Sequence, residues 1–193
     1  MFEYLMPALW THLYPNTLLE RAAEAAVRSQ RAYASHKKVP WGISESASSQ
    51  MDSSGNYFYF AFGVPQLAIH KPEEDGPVIS PYSTFLALDT DPDAAIRNLR
   101  NLRRKRGVGA YGYYESLDFS PSRAGSQSRG FEVVRCWMAH HQGMSLLAMA
   151  NFLRDEVVQN WFHSHPRVQA TELLLQEKPA AGVTSAGPRS NAA

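Results

Sequence analysis

Two short loops built on the same pattern carry the residues best able to do chemistry. Trp41-Gly42-Ile43-Ser44-Glu45-Ser46 and Tyr111-Gly112-Tyr113-Tyr114-Glu115-Ser116 each set a glutamate among aromatic and glycine residues. Paired carboxyls are the working groups of glycosidic-bond chemistry, where one protonates or shields the leaving oxygen and the other attacks or activates the attacking group. Aromatic faces grip the apolar faces of sugar rings, and glycine lets the backbone approach a substrate closely. The plainer alternative is two surface loops whose glutamates cap neighbouring helices, but the recurrence of the pattern favours function. Glu45 and Glu115 are therefore the candidate catalytic pair. Trp41, Tyr111 and Tyr113, beside glycine in the same loops, are candidate sugar platforms.

Glu3 lies between Phe2 and Tyr4 and shares the aromatic context, which makes it a further candidate for the substrate cleft. Asp118, three residues after Glu115, either orients that glutamate or caps the next stretch of chain. His140-His141-Gln142-Gly143 invites a metal reading, which helical geometry opposes. Adjacent helical residues project about 100° apart, and the i, i+4 histidine pair of a zinc helix is absent. No metal is expected, and no cofactor. Instead one histidine and Gln142 point into a cleft and hydrogen-bond sugar hydroxyls, the other histidine packs between helices, and Gly143 relieves crowding. Trp137 reads as core.

The elements that must position these groups are mostly helical. Helices are predicted over residues 17–34, with Asn16 as N-cap and an outer Glu24–Arg28 pair, over 81–88, and over 92–106, with Asp91 as cap, Pro92 at the first position and Gly107 at the end. A long helix is predicted over 131–154, bent at Gly143, with short ones over 156–162 and 166–176. Residues 46–56 read as a surface loop and 57–62 as a short strand or buried extended piece. Residues 71–77 read as a polar turn and 120–130 as a flexible connector. The tail from Lys178 is rich in Pro, Ala, Gly and Ser, which predicts disorder.

At 193 residues the chain suits one domain with a proper core. Charged residues are only 19%, below the typical share, which implies a surface that something else covers. A net charge of +1 gives no global steering toward nucleic acid or an anionic membrane. The basic run from Arg97 to Arg106 follows the outer face of an amphipathic helix and its last turn, where cations suit the dipole, so no nucleic-acid partner is expected. Cys136, the single cysteine, excludes an internal disulfide. No apolar run has the length of a membrane span, and no secretion leader is visible. Repeated βα units, phosphate-binding glycine motifs and metal-spaced cysteines are also missing from the sequence.

Five motifs in order carry a specific resemblance: Phe2-Glu3-Tyr4-Leu5-Met6-Pro7, Val39-Pro40-Trp41-Gly42-Ile43-Ser44-Glu45-Ser46, Phe62-Gly63-Val64-Pro65, Tyr111-Gly112-Tyr113-Tyr114-Glu115 and Met138-Ala139-His140-His141-Gln142-Gly143-Met144-Ser145. Together they closely resemble the glucoamylase-like domain of cyclic β-1,2-glucan synthases, from Met1 to about Gln176. The resemblance implies a mainly α fold, a partial (α/α)6 toroid with long active-site loops over residues 1–177, followed by a disordered 178–193 tail. It implies action on β-1,2-glucan oligosaccharide or polysaccharide. In the large synthases the domain is thought to act by anomer-retaining transglycosylation, and in related stand-alone enzymes by hydrolysis. The catalytic pair carries over onto Glu45 and Glu115 with nucleophile and acid/base unassigned, and wall or subsite roles onto Glu3, Trp41, Tyr113, His141 and Gln142.

The resemblance also implies a parent family associated with the inner membrane and acting in the cytoplasm, and leaves the location of this chain itself unassigned. Two departures qualify the resemblance. Ser48, Ser49 and Gln50 replace a bulkier stretch, and the toroid's helices outnumber those offered here. The chain is thus expected to be the C-terminal part of the domain, from a truncated or split reading frame. The missing half of the domain is then a candidate partner. The alternative to an active enzyme is a non-catalytic β-glucan-binding remnant or a non-functional fragment.

Overall fold

A computed structural model describes residues 1–68, 76–121 and 130–179. The predicted turn at 71–77, the connector at 120–130 and the tail lie largely or wholly outside the described residues. Helices alternate with long, hydrogen-bonded loops and short strands. In chain order these are α1 (Phe2–Leu5), a 3₁₀ turn (Met6–Leu9), α2 (Leu18–Lys37), β1 (Ser46–Met51), β2 (Tyr57–Phe60), β3 (Val78–Ile79), α3 (Pro81–Leu86) and α4 (Pro92–Arg104). They are followed by β4 (Val108–Gly109), β5 (Gly112–Tyr113), β6 (Ser116–Asp118), β7 (Glu132–Val134), α5 (Ala139–Leu153), α6 (Val157–His163), α7 (Pro166–Thr171) and a second 3₁₀ turn (Glu172–Gln176). No helix among the described residues is long and apolar enough to cross a membrane.

The strands form three antiparallel groups: β1 with β2, β3–β6–β7, and β4 with β5. Strand β1 also lies against β6 and β7, and α3 packs on α4 and α5. The apolar interior has two centres. Leu5, Leu9, Val27, Trp41, Tyr82, Phe85 and Leu99 share one; Ile43, Val64, Ile79, Leu102 and Leu117 share the other. Loop 41–45 contributes to both centres, through Trp41 and Ile43.

Several local expectations need correction. Thr17, not Asn16, caps α2: its side chain accepts the Glu20 N–H, while Asn16 takes a left-handed conformation and donates its own N–H to Glu20. Residues 46–51 are not a surface loop. They form β1, whose first three residues are buried, and small serine and alanine side chains suit a strand held between β2 and β6. Residues 131–138 do not join the following helix. Glu132–Val134 pairs with Ser116–Asp118, and the Glu115 N–H continues that side of the ladder to the Cys136 carbonyl at 3.0 Å. Gly143 sits inside α5 with open space where a Cβ would lie, so it relieves no crowding. At the end of α4 the left-handed residue is Arg106, ahead of Gly107. The exposed Arg97, Arg100, Arg103 and Arg104 do follow the outer face of α4.

Loop 41–45 is buried without being a strand, so its peptide groups need partners from elsewhere. Two side-chain amides supply them. Gln30, fully buried on α2, donates through Nε2 to the Ile43 carbonyl at 2.7 Å and accepts the Ile43 N–H at 2.8 Å. Asn98 on α4 accepts the Trp41 N–H at 3.3 Å and donates to the Trp41 carbonyl at 2.8 Å and to Thr84 Oγ1 at 2.9 Å. Between them, Gly42 adopts φ +111°, and the Ser80 N–H donates to its carbonyl at 2.8 Å. A Cβ at Gly42 would sit 2.8 Å from Ser83 Oγ and 2.9 Å from Thr84 Oγ1.

Gln30→Leu keeps the volume but strands both polar groups of Ile43, and should lower unfolding stability by about 2–5 kcal/mol, read as a fall in denaturant midpoint at unchanged slope. Glu24→Ala removes only the exposed pair with Arg28 and should cost no more than about 0.5 kcal/mol. Equal losses would show that Ile43 finds other partners.

Candidate active site

Once Ile43 is fixed, the chain delivers Ser44 and Glu45 to the start of β1. Ser44 Oγ accepts the Phe2 N–H at 3.1 Å and the Tyr82 O–H at 2.9 Å, tying the N-terminal helix and α3 to the loop. Glu45 is half-buried and lines a cleft of about 120 Å³ with Glu3, Phe62, Val64 and Leu67. Glu3 reaches this cleft from α1 with its side chain largely exposed, 4.0 Å from the Met1 ammonium. The two acids therefore face the same small space. A larger groove of about 660 Å³, lined by Arg28, Arg31, Arg97 and Arg104, lies between α2 and α4 and contains neither candidate catalytic carboxylate.

Glu115 sits differently. Strand β6 begins just after it and pairs on both edges, with β3 and with β7, which draws the side chain inward. Its carboxyl is 0% exposed. Oε1 accepts the Ala47 N–H of β1 at 3.2 Å, and Oε2 lies 2.9 Å from His141 Nδ1. His141, on α5 and 1% exposed, lies flat on the Tyr82 ring with 3.7 Å between centroids and 8° between planes. Its Nε2 lies 3.3 Å from the Tyr59 hydroxyl on β2, which is also close enough to Glu45 to feel its charge. Tyr59 thus meets His141, which in turn meets Glu115, and lies within the electrostatic reach of both loop glutamates.

The electrostatics reflect burial and the two carboxylates. Burial first, then Glu45 and Glu115, hold Tyr59 well above the usual phenol range. Tyr82 is raised by burial, which outweighs the opposing hydrogen bond to Ser44. Burial, then the nearby Glu115, push the Cys136 thiol up to about 11, so it is a poor nucleophile. Burial and His141 depress the neighbouring His140, whose ring lies 4.0 Å from that of His141.

The remaining expected residues divide into inner and outer sets. Trp41 is buried in the larger core. The Tyr113 ring turns inward, edge-on to Phe85, and its hydroxyl donates to the Leu99 carbonyl at 3.0 Å. Tyr111 is 79% exposed and meets Trp137 edge-on at 5.1 Å. Trp137, expected in the core, is only half-buried and forms a surface aromatic group with Tyr111 and Tyr114. Gln142 donates to the Tyr113 carbonyl at 3.1 Å and fastens α5 to the β4–β5 hairpin. Of the histidine pair, His140 is exposed and His141 is buried. Asp118 is buried and caps through space, accepting the Ser49 N–H and O–H, each at 2.9 Å, and the Ser120 N–H. Among the described residues no group of three or more His, Cys, Asp or Glu side chains is placed to hold a metal ion.

Sequence reasoning missed Gln30, Ser44, Asn98 and Tyr82 as site residues and left Tyr59 open between core and sugar platform. Tyr59 and Tyr82 were visible as aromatics, but only the β1–β2 pairing of Ala47 with Tyr59 and the packing of α3 on α5 bring them to the carboxylates.

Comparisons with known proteins identify the chain's relatives. The family model "Glycoamylase: Putative glucoamylase" matches residues 1–166. Cyclic beta-(1,2)-glucan synthase NdvB of Rhizobium meliloti (strain 1021) is 40% identical over 178 residues, covering 92% of this chain and 6% of the synthase. This chain therefore spans a small part of that relative's length. Among solved structures, the endo-beta-1,2-glucanase from Chitinophaga pinensis, in complex with sophorotriose and glucose, matches with TM-score 0.61 and 20% identity, over 91% of this chain and 40% of its own. The beta-1,2-glucanase from Parabacteroides distasonis matches with TM-score 0.62 and 21% identity, over 91% of this chain and 24% of its own. These structural likenesses show a shared fold, and with the family match over most of its length the chain belongs to the glucoamylase-like family.

Proposed function

We propose that this chain is the carboxylate-bearing part of a glycoside hydrolase or transglycosylase domain acting on β-1,2-glucan, folded as part of an (α/α)6 toroid. Glu45 is the carboxyl that meets the scissile bond, and Glu115 is its buried partner. The observation that carries this reading is the placement of Glu45 at an open cleft with Glu3, while His141 and the Ala47 N–H hold the buried Glu115 and both loop carboxylates act on the Tyr59 hydroxyl. The named activities of the synthase and of the two glucanases supply the substrate class. Glu3, across the same cleft, binds sugar hydroxyls, and the exposed Tyr111–Trp137 pair offers a platform for a pyranose ring. Trp41, Tyr113, His141 and Gln142 serve the cleft from behind, by holding the loops and carboxylates.

A non-catalytic β-glucan-binding role is the second reading, favoured by one observation: the Glu115 carboxyl has no exposed surface from which to touch a sugar. Turnover separates the two readings. Glu45→Gln should lower release of reducing ends from linear β-1,2-glucooligosaccharides by about 10²-fold or more, with calorimetric binding nearly unchanged. Binding by the unaltered chain without any turnover would favour the second reading. Glu115→Gln should lower turnover and also destabilise the fold by about 3–5 kcal/mol, because it breaks a buried pair from one side.

The fold also leaves a surface to be covered. Leu146 and Leu153, two turns apart on α5, are exposed, as are Trp161 on α6 and Leu173 and Leu174 in the last 3₁₀ turn. Large apolar side chains left exposed on successive elements suit an interaction surface. We assign it to a further helical polypeptide equivalent to the part of the solved relatives that this chain does not match. The isolated chain should self-associate in sedimentation, and Leu146→Gln with Leu153→Gln should reduce this while changing stability by less than about 1 kcal/mol. A monodisperse unaltered chain at high concentration would remove the basis for the assignment.

A further inference from the structure

The groove between α2 and α4, about 660 Å³ in volume, has a chemistry unlike that of the Glu45 cleft. Arg28 and Arg31 of α2 line one wall, and Arg97 and Arg104 of α4 line the other. Spacings of three and of seven residues put each pair on one face of its helix. Asn98 and Asn101 add two carboxamides, and no carboxylate is among the described lining residues. Glu24, Asp91 and Asp93 pair with three of these arginines, yet none of the three acids belongs to the lining. Four guanidiniums therefore share one space that holds no fixed anion among the described residues.

We propose that this groove binds a small molecule carrying two or more linked phosphoryl groups, a function separate from glucan cleavage. Every side chain in the three ion pairs keeps at least 31% of its surface exposed, and the Arg97–Asp93 contact is a loose 3.9 Å. Exposed pairs of this kind hold weakly, so a ligand can share or take over the guanidiniums. A carboxylate ligand offers them only what they already have. A phosphoryl group brings close to two charges and three acceptor oxygens, and each guanidinium can present two parallel N–H donors to it. Four guanidiniums on two walls carry more charge than one phosphoryl group can neutralise, which favours a linked pair. The volume falls within the range of small-molecule sites.

The walls are held together by the chain itself. Arg31 on α2 pairs with Asp91, the residue that caps α4. Asn98 accepts the Trp41 N–H at 3.3 Å and donates to the Trp41 carbonyl at 2.8 Å, which fixes the loop that closes the groove. A site built this way needs little ordering when a ligand arrives. Trp41 lines the groove and is the first residue of the loop that carries Glu45, so it reports on occupancy. Arg100 and Arg103 lie on the same helix, equally exposed, but outside the lining. They distinguish a groove from the general charge of a basic helix.

Pyrophosphate and tripolyphosphate are the probes, and no measurement needs turnover, so the outcome is independent of the glucan reading. In calorimetry the full 193-residue chain should bind each with a Kd below about 1 mM. Inorganic phosphate should bind about tenfold more weakly or worse. Arg97→Gln with Arg104→Gln should weaken pyrophosphate about tenfold or more, and Arg100→Gln with Arg103→Gln by less than about twofold. All four side chains are exposed, so both double variants keep the fold. Equal losses would mean attraction to a basic helix at large and overturn the proposal. In ¹⁵N–¹H spectra, added pyrophosphate should move the signals of Trp41 and leave those of Trp10, Trp137 and Trp161 in place. Movement of all four or of none overturns it, as does tighter binding of polyglutamate or single-stranded DNA than of either probe.

Discussion

A carboxamide side chain presents the same donor and acceptor as a peptide group, and the site depends on that equivalence twice. Gln30 pairs with both polar groups of Ile43, and Asn98 with both polar groups of Trp41. The 41–45 segment thereby obtains the hydrogen bonds of a strand without lying in a sheet. Irregular backbone is normally kept at the surface because its polar groups need water. Here the two amides remove that need, so the loop passes between the two apolar centres and Trp41 and Ile43 are buried in one each. Helices α2 and α4 are locked to the loop by the same contacts, and Glu45 inherits its position from them.

Glu115 presents the opposite problem: a carboxyl fully withdrawn from water is costly unless its lone pairs are met. The Ala47 N–H and His141 Nδ1 meet them from two different elements, β1 and α5. This explains the serine- and alanine-rich start of β1. Small residues allow the strand to lie between β2 and β6, close enough for the Ala47 N–H to reach Glu115 and for Ser116 Oγ to donate to the Ala47 carbonyl. Bulkier side chains at Ser46, Ala47 or Ser48, all fully buried, would force the sheets apart and separate the carboxyl from its donor.

The parts of this arrangement legible in sequence were those with local causes. Asp91 and Pro92 begin α4 as their types require, and the side chain of Asp91 accepts the Ala94 N–H. The two glutamate loops and the histidine pair were visible as residues worth placing. What was not legible has non-local causes. Phe131 and Val134 are three apart and both buried, which fits a helical face as well as a strand; only pairing with Ser116 and Leu117 decides for the strand. Polarity at Ser46–Ser49 suggested solvent, yet their hydroxyls have protein partners. Trp41 and Tyr113 sit beside glycines as a sugar platform would, but their backbone and hydroxyl contacts turn them inward. Gln30 and Asn98 carried no local mark, because an amide on a helix looks the same whether it faces water or a buried loop.

The two carboxylates are thus unequal in a way their matching loops concealed. Glu45 has a cleft in front of it and Glu115 has protein on every side. A glycosidic bond must be addressed from both faces of the sugar ring, and only one of these groups stands at an open surface. On the proposed reading, Glu115 anchors His141 from behind and leaves the contact with sugar to Glu45, with Glu3 across the same space. The opposite wall of such a cleft would have to come from polypeptide packed on this chain, and the uncovered leucines of α5 present an apolar surface on which it could rest. The same helix carries His141 on its inner face and Leu146 and Leu153 on its outer one. Docking on α5 would therefore bear directly on the imidazole that holds Glu115, which joins completion of the cleft to the chemistry inside it.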